Sequence, residues 1–517
     1  MVKAGGGGTQ RAQLAKNSLL NLVGQILPLL IAVIALPVVV KGLGNARFGL
    51  LTLAWTFLGY FNFFDLGLGR AATRFIASAL GRGETERVPE VLVTALLTQL
   101  LFGTLAALAM VVAAPWLVHA VLDEQTLMLS GEALTVLRSV ALGMPIVMVS
   151  SSLSGALEAA QRFDLVNLIR VPVNTASFAI PLAGVLMGLS LPVIVLLLLA
   201  GRAVALSGYL FFVRRTIGGF GLQHGRVALL RDMLSFGGWI MVSGLTVPTL
   251  AYAERLLIAS SLGIAALTHY ALPFEIVSRS AVLPAALALT LFPAFSFFES
   301  ATDAQLKELY GRPIRYLLVA LAPVLLLFLA FAHDILLHWL GAEMAAASTD
   351  VLRLLALAFF LNGVAQVGLA AVQGLGRPDL KARLDIVEVP LFIVLALVLI
   401  PRFGITGAAA AKLIVTMVDA AGIFYLVGVA SRHRIHGVLP SLAGLLTTSA
   451  VYVAAGSFAL HYPLPLAVRV LLFAALSIAY FAIVWQRFTD ERDRAALARG
   501  LEIARSMMTW KWGTGRA

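Results

Sequence analysis

The 517-residue chain has no cysteine, which excludes disulfides, thiolate metal sites and thiol catalysis. Charge is scarce as well: 12% of residues are charged, where a soluble domain carries about a quarter. With 60% hydrophobic residues and a mean hydropathy of +0.95, the chain needs an apolar solvent. No nucleotide loop is present, because Gly67-Leu68-Gly69 and Gly374-Leu375-Gly376 follow no strand and carry no Lys-Ser/Thr. The longest external loops run to only about 18 residues, short for a catalytic domain. Acid is scarcer than base, and the net charge of +12 forms no single basic stripe of the kind that binds nucleic acid.

What the chain does have is a repeating beat of about 14 apolar stretches of spanning length, from Leu19–Val40 and Gly49–Leu68 to Val438–Phe458 and Leu466–Trp485. Arg and Lys gather in every second gap: Arg70, Arg74, Arg82 and Arg87; Arg214, Arg215, Arg226 and Arg231; Arg377, Lys381 and Arg383. Counting the tails, roughly 28 of the 38 basic residues lie on one side, and about four (Lys41, Arg47, Arg402 and Arg469) on the other. This bias predicts an all-α polytopic membrane protein with an even number of spans and both termini cytoplasmic. The first apolar run reads as an anchor that stays in the protein.

A repeat is also legible. Arg162-Phe163-Asp164-Leu165 recurs as Arg377-Pro378-Asp379-Leu380, and Gly42-Leu43-Gly44 as Ser261-Leu262-Gly263, at offsets of about 215 and 219 residues. The layout this predicts is a cytoplasmic tail (1–17), two pseudo-symmetric six-helix lobes (18–230 and 231–430), two additional helices (438–485) and a cytoplasmic basic tail (486–517).

At the second span the residues become specific. Phe48-Gly49-Leu50 opens it, and Phe64-Asp65-Leu66-Gly67-Leu68-Gly69-Arg70 closes it, followed by Ala71-Ala72-Thr73-Arg74-Phe75. This resembles the N-terminal signature of Wzx-type polysaccharide flippases, in the multidrug/oligosaccharidyl-lipid/polysaccharide exporter superfamily. The resemblance implies two MATE-like lobes that rock about a central cavity lined by helices one, two, seven and eight. It also implies a substrate whose sugars are joined through diphosphate to a polyprenol.

A diphosphate site calls for Arg, which binds oxyanions bidentately. Helices seven and eight offer Glu254 and Arg255, then Glu275 and Arg279. Glu275 and Arg279 are four apart and share a helix face. Two compatible readings stay open: the four charges pair with one another, or at least one Arg lines the cavity. Tyr252 and Asn62 are candidates to meet sugar. Arg202, Lys412 and Asp419 read as flank residues that pair or snorkel, and Asp65 as a helix-end cap or a proton-responsive group. His433 and His436 lie among cytoplasmic Arg and read as a solvated loop, so no metal and no cofactor is expected.

The function expected is therefore transport rather than enzymatic: moving undecaprenyl-diphosphate-linked oligosaccharide to the outer leaflet for surface polysaccharide. Membrane lipids, a coupling proton or sodium ion, and a polysaccharide polymerase or chain-length protein are the other expected partners; nucleic acid is not. A cation-coupled multidrug antiporter is the alternative within the fold, and it fits less well because helix one has no acidic residue. A membrane glycosyltransferase or polymerase would need catalytic carboxylates or His in a sizeable external loop.

Overall fold

The computed structural model describes residues 7–63, 68–122, 127–221, 226, 229–231, 233, 253–281, 284, 303–375, 377–431 and 438–489. Among them there is no strand. Backbone N–H and C=O groups in hydrocarbon must be satisfied within their own segment, and a helix does this. The elements are α1 (Gly7–Phe63), α2 (Leu68–Gly81), α3 (Arg87–Val121), α4 (Ser130–Ala159), α5 (Phe163–Leu186) and α6 (Leu191–Ile217), then α7 (residues 253–262) and α8 (Ile264–Ser278). They continue with α9 (Asp303–Leu340), α10 (Ala342–Gly374), α11 (Pro378–Ala430), α12 (Ala443–His461) and α13 (Leu466–Phe488).

Ten helices among the described residues are long and apolar enough to cross a membrane. Two of the elements are double. Straight, the 57 residues of α1 would reach about 86 Å and the 53 of α11 about 80 Å, each more than twice the hydrocarbon thickness. Each instead bends at a glycine, Gly44 (φ 76°, ψ 164°) in α1 and Gly404 (φ 60°, ψ −142°) in α11, so each supplies two arms. The expected spans Leu234–Leu262 and Ala266–Phe295 fall in large part outside the described residues.

Local geometry repeats at the offsets read from the sequence. Gly263, between α7 and α8, has φ 86° and ψ 163°, the conformation of Gly44. An L side chain is strained there, which explains why glycine holds both positions. Arg162 grips Asp164 through two hydrogen bonds of 3.0 Å, and Arg377 grips Asp379 through bonds of 3.0 and 3.1 Å. In both pairs the carboxylate, by hydrogen bonding, holds the guanidinium above its ordinary pKa.

The chain divides into two compact units. The first comprises Met1–Arg279, Leu336–Val351 and Ala382–Val415. In it α3 packs on α4, α1 on α5 and α8, and α4 on α6. One end of it closes over a core of Ala72, Ile76, Leu92, Leu157 and Val213. The basic gap after the second span is itself helical: it forms the amphipathic α2, which buries Ala71, Ala72 and Ile76 and exposes Arg74. Close approach seats α8: a Cβ on Gly49 would stand 2.2 Å from the Ile264 carbonyl oxygen.

The second unit comprises Ser280–Ile335, Leu352–Lys381 and Thr416–Ala517. Here Arg469 at the head of α13 donates to Asp334 (2.9 Å) and to the carbonyls of Ala330 (2.7 Å) and Leu460 (2.9 Å), with its guanidinium 4.9 Å from the Phe331 ring centroid. A cation at a helix end thus locks α13 to α9 and α12 by satisfying carbonyls and a carboxylate together.

Candidate functional site

The hairpin of α7 and α8 assembles a charged cluster inside the first unit. Glu254 and Arg255 sit near the start of the described part of α7, and Tyr270, Phe274 and Glu275 on α8. Arg279 opens the 3₁₀ turn that follows. Because Gly263 reverses the chain, the two helices run side by side and bring these groups together.

Glu254 is the anchor. It is 1% exposed, accepts a hydrogen bond from the Tyr270 hydroxyl, and lies 3.3 Å from the Lys412 Nζ. A carboxylate buried this deeply needs such partners, since an unpaired buried charge is heavily penalised. Glu275 is bound at 2.8 Å by Arg279, one helical turn on, and approached at 3.8 Å by Arg255. Arg255 itself donates at 2.8 Å to the Thr56 hydroxyl on the second arm of α1. The Phe274 ring serves two cations, with the Arg255 guanidinium 5.4 Å and the Lys412 ammonium 5.8 Å from its centroid. The Arg279 guanidinium stands 5.6 Å from the Phe178 centroid on α5.

Among the described residues, Arg255, Arg279 and Lys412 stand beside Glu254 and Glu275, and Lys412 has further interactions outside this set. Lys412 is used by Glu254 and Arg279 by Glu275. Arg255 is the cation whose nearest carboxylate is a long 3.8 Å away, and its strongest bond is to a neutral hydroxyl. Its oxyanion-binding fork is the least committed of the three.

Of the four charges of the two helices, Arg255 and Arg279 meet Glu275, while Glu254 is held by Tyr270 and Lys412 instead. Lys412, which the lobe layout placed at a flank, comes from 158 residues away. Asp419 is elsewhere, in the second unit, bound at 2.7 Å by Lys381. Arg202 stands apart on α6 with no hydrogen bond or ion pair to any described residue. Tyr252 and Asp65 lie outside the described residues, as does the side chain of Asn62. Among the described residues, no group of three His, Asp or Glu is placed to hold a metal ion. Thr56, Phe274 and Phe178 were not foreseen. Thr56 had a signal, since Thr52 and Thr56, four apart, put two hydroxyls on one face of the second span.

A family model described as "Polysaccharide biosynthesis protein" matches residues 14–299, more than half of the chain. The chain belongs to this family. The match takes in α1 to α8, and hence every member of the cluster except Lys412. A protein of Shigella flexneri named "Putative O-antigen transporter" is 26% identical over 409 residues, covering 78% of this chain and 95% of that one. A solved multidrug resistance MATE family transporter of the MOP superfamily, inward-facing, superposes with a TM-score of 0.65 at 18% identity, over 81% of this chain and 96% of that one. Lipid II flippase MurJ in an inward closed conformation gives 0.66 at 11% identity, over 91% and 99%. At these identities the likeness establishes the fold: this polysaccharide biosynthesis protein has the MATE-like helical fold implied by its helix-two signature.

Proposed function

We propose that the protein is a flippase, not an enzyme, and that it carries lipid-linked oligosaccharide, its sugars joined through diphosphate to a polyprenol, from the cytoplasmic to the outer leaflet for surface polysaccharide synthesis. The observation that carries this reading is Arg255 in the α7–α8 cluster, held at 2.8 Å by a neutral hydroxyl with its nearest described carboxylate 3.8 Å away. A diphosphate is the ligand such a fork suits. The family, the named role of the Shigella relative and the fold shared with a lipid II flippase support the same direction. Export of organic cations fits less well, because the first span, Leu19–Val40, has no acidic residue to bind them.

The same reading takes the chain as an inner-membrane protein of fourteen spans with both termini cytoplasmic. Its lobes run over 18–230 and 231–430, with a further helix pair at 438–485. A proton or sodium ion and a polymerase or chain-length protein are its proposed partners beyond substrate and lipid. The deciding experiment reconstitutes the protein in liposomes and follows a fluorescent polyprenyl-diphosphate oligosaccharide from one leaflet to the other. Wild type is expected to move it and Arg255→Gln to move it at least tenfold more slowly. Wild type that moves no lipid-linked sugar, yet exchanges protons for a cationic dye, overturns the proposal.

A further inference from the structure

Away from the cluster, α6 carries Arg202 about 16 Å from one end of the helix and about 22 Å from the other, near mid-membrane. A guanidinium at that depth needs a partner or a cavity. Among the described residues it has no partner. It does have cavities, two of them, and it lines both.

The first is an open pocket of about 380 Å³ lined by α2, α4, α5 and α6, with Ser150, Ser151 and Asn174 in its wall. Arg170 also lines this pocket, but it is already bound by Glu158 at 2.6 Å. The second is an apolar groove of about 390 Å³ between α1, α5 and α6, walled by Pro172, Ala176, Ile180 and Leu198. At its rim Leu168 and Val204 are 60% and 73% exposed, so the groove opens sideways from the unit. Exposed apolar surface on a membrane helix faces lipid. Trp55 lines this groove as well, and its indole N–H is buried with no hydrogen-bond partner among the described residues. Buried donors are almost always satisfied, and this one lines the same groove as an Arg that no described residue pairs, so both are placed to take acceptor oxygens from a ligand.

These features describe one amphiphile. Its head is anionic and rich in acceptor oxygens, its tail is apolar, and the two meet at Arg202. A free phosphate would use the pocket and leave the groove empty. We propose that the N-terminal part of the protein holds a polyprenyl phosphate here, with phosphate oxygens on Arg202 and the first isoprene units in the α5–α6 groove. Resting on the flippase reading, this gives the lipid end of the substrate a mid-membrane station distinct from the α7–α8 cluster. A diphosphate crossing the bilayer keeps its chain in hydrocarbon throughout, so it needs a cation beside a slot that opens to lipid. The rings of Trp55 and Phe178, 5.5 Å apart, link this station to Arg279, which stands over Phe178.

The test uses the full chain in nanodiscs and a photoactivatable polyprenyl phosphate, with crosslinked peptides mapped by mass spectrometry. Crosslinks are expected on residues 168–180 and 198–208. Arg202→Gln should lower their yield about ten- to a hundredfold, the span of a charge-assisted phosphate contact, and Arg202→Lys should retain more than Arg202→Gln. Gly201→Leu fills the groove without touching the charge and should lower the yield as well; a Cβ there meets only Ile180, at 3.7 Å. Crosslinks confined to other helices, or a yield in Arg202→Gln within twofold of wild type, overturn the proposal. So does full displacement by inorganic phosphate, which marks a free-anion site, or by equimolar phosphatidylglycerol, which marks a general phospholipid site. Wild type that crosslinks here but translocates nothing in liposomes sinks the flippase reading and leaves the site. Translocation without crosslinking here does the reverse.

Discussion

The Arg255 guanidinium donates a 2.8 Å hydrogen bond to the Thr56 hydroxyl, joining α7 to the second arm of α1 across 199 residues of chain. Thr56 in turn donates at 2.7 Å to the Thr52 carbonyl, so its single proton is spent on the backbone and its lone pairs are left for the Arg. The same guanidinium stands 3.8 Å from Glu275, farther than from the hydroxyl.

Thr56→Val preserves shape and removes the acceptor. A hydrogen bond to a charged group contributes about 1.5–3 kcal/mol. We expect a loss of about that size in thermal or denaturant unfolding of the detergent-solubilised protein. Arg255 should then move onto Glu275, and translocation should fall although no charge has changed. Unchanged stability together with unchanged transport would mean that Thr56 does not position the Arg.

Glu254 and Lys412 offer a second test. Removing one partner of a buried ion pair strands the other, at a cost of about 3–5 kcal/mol when both are buried. Lys412 retains 23% side-chain exposure and has other interactions, so Glu254→Gln should cost less, about 2–3 kcal/mol. In a double-mutant cycle with Lys412→Met, the double variant should be more stable than the sum of the singles predicts by about 1 kcal/mol or more. Strict additivity would dissolve the pair as an energetic unit.

Much of this was legible in the sequence for definite reasons. A helix in hydrocarbon needs about twenty apolar residues, so spans announce themselves. The Arg-x-Asp twins and the paired glycines recur with matching geometry because a short turn is fixed by its own residues. The four charges of helices seven and eight were found because each is costly in an apolar run. What sequence could not supply was partners from distant segments. Nothing local to Lys412 indicates that it reaches Glu254, and nothing local to Phe274 indicates that two cations share its ring. Arg202 read as a pairing or snorkelling residue, because whether a cation meets a partner or a hollow depends on packing among four helices.

Two glycines five residues apart should behave differently when given a methyl group. Gly44 has φ 76° and ψ 164° and nothing within 4 Å of where a Cβ would sit, so Gly44→Ala meets only backbone strain, about 1–3 kcal/mol. At Gly49 the new carbon would lie 2.2 Å from the Ile264 carbonyl oxygen, a backbone atom that cannot turn aside. Gly49→Ala must push α8 off α1, and should be the more destabilising of the two by melting temperature and the more damaging to transport, since α8 carries Glu275. The reverse order would show that the α1 bend, and not the α1–α8 contact, governs this region.

The missing cysteines make the orientation directly testable, because any thiol introduced is the sole one in the protein. Thr85, between α2 and α3, and Ala342, at the start of α10, are both exposed and uncharged. Replacing either leaves the basic pattern intact. If Arg82 and Arg87 hold their loop in the cytoplasm, Thr85→Cys in intact spheroplasts resists a membrane-impermeant maleimide and reacts only after permeabilisation. Ala342→Cys should react at once. It adjoins Glu343, which accepts a 2.8 Å hydrogen bond from Asn45 and lies 3.7 Å from His269, so three expected external turns meet there. Labelling of both sites from outside, or of Thr85→Cys alone, would invert the orientation drawn from the charges. Cytoplasmic termini, and the direction proposed for transport, would fall with it.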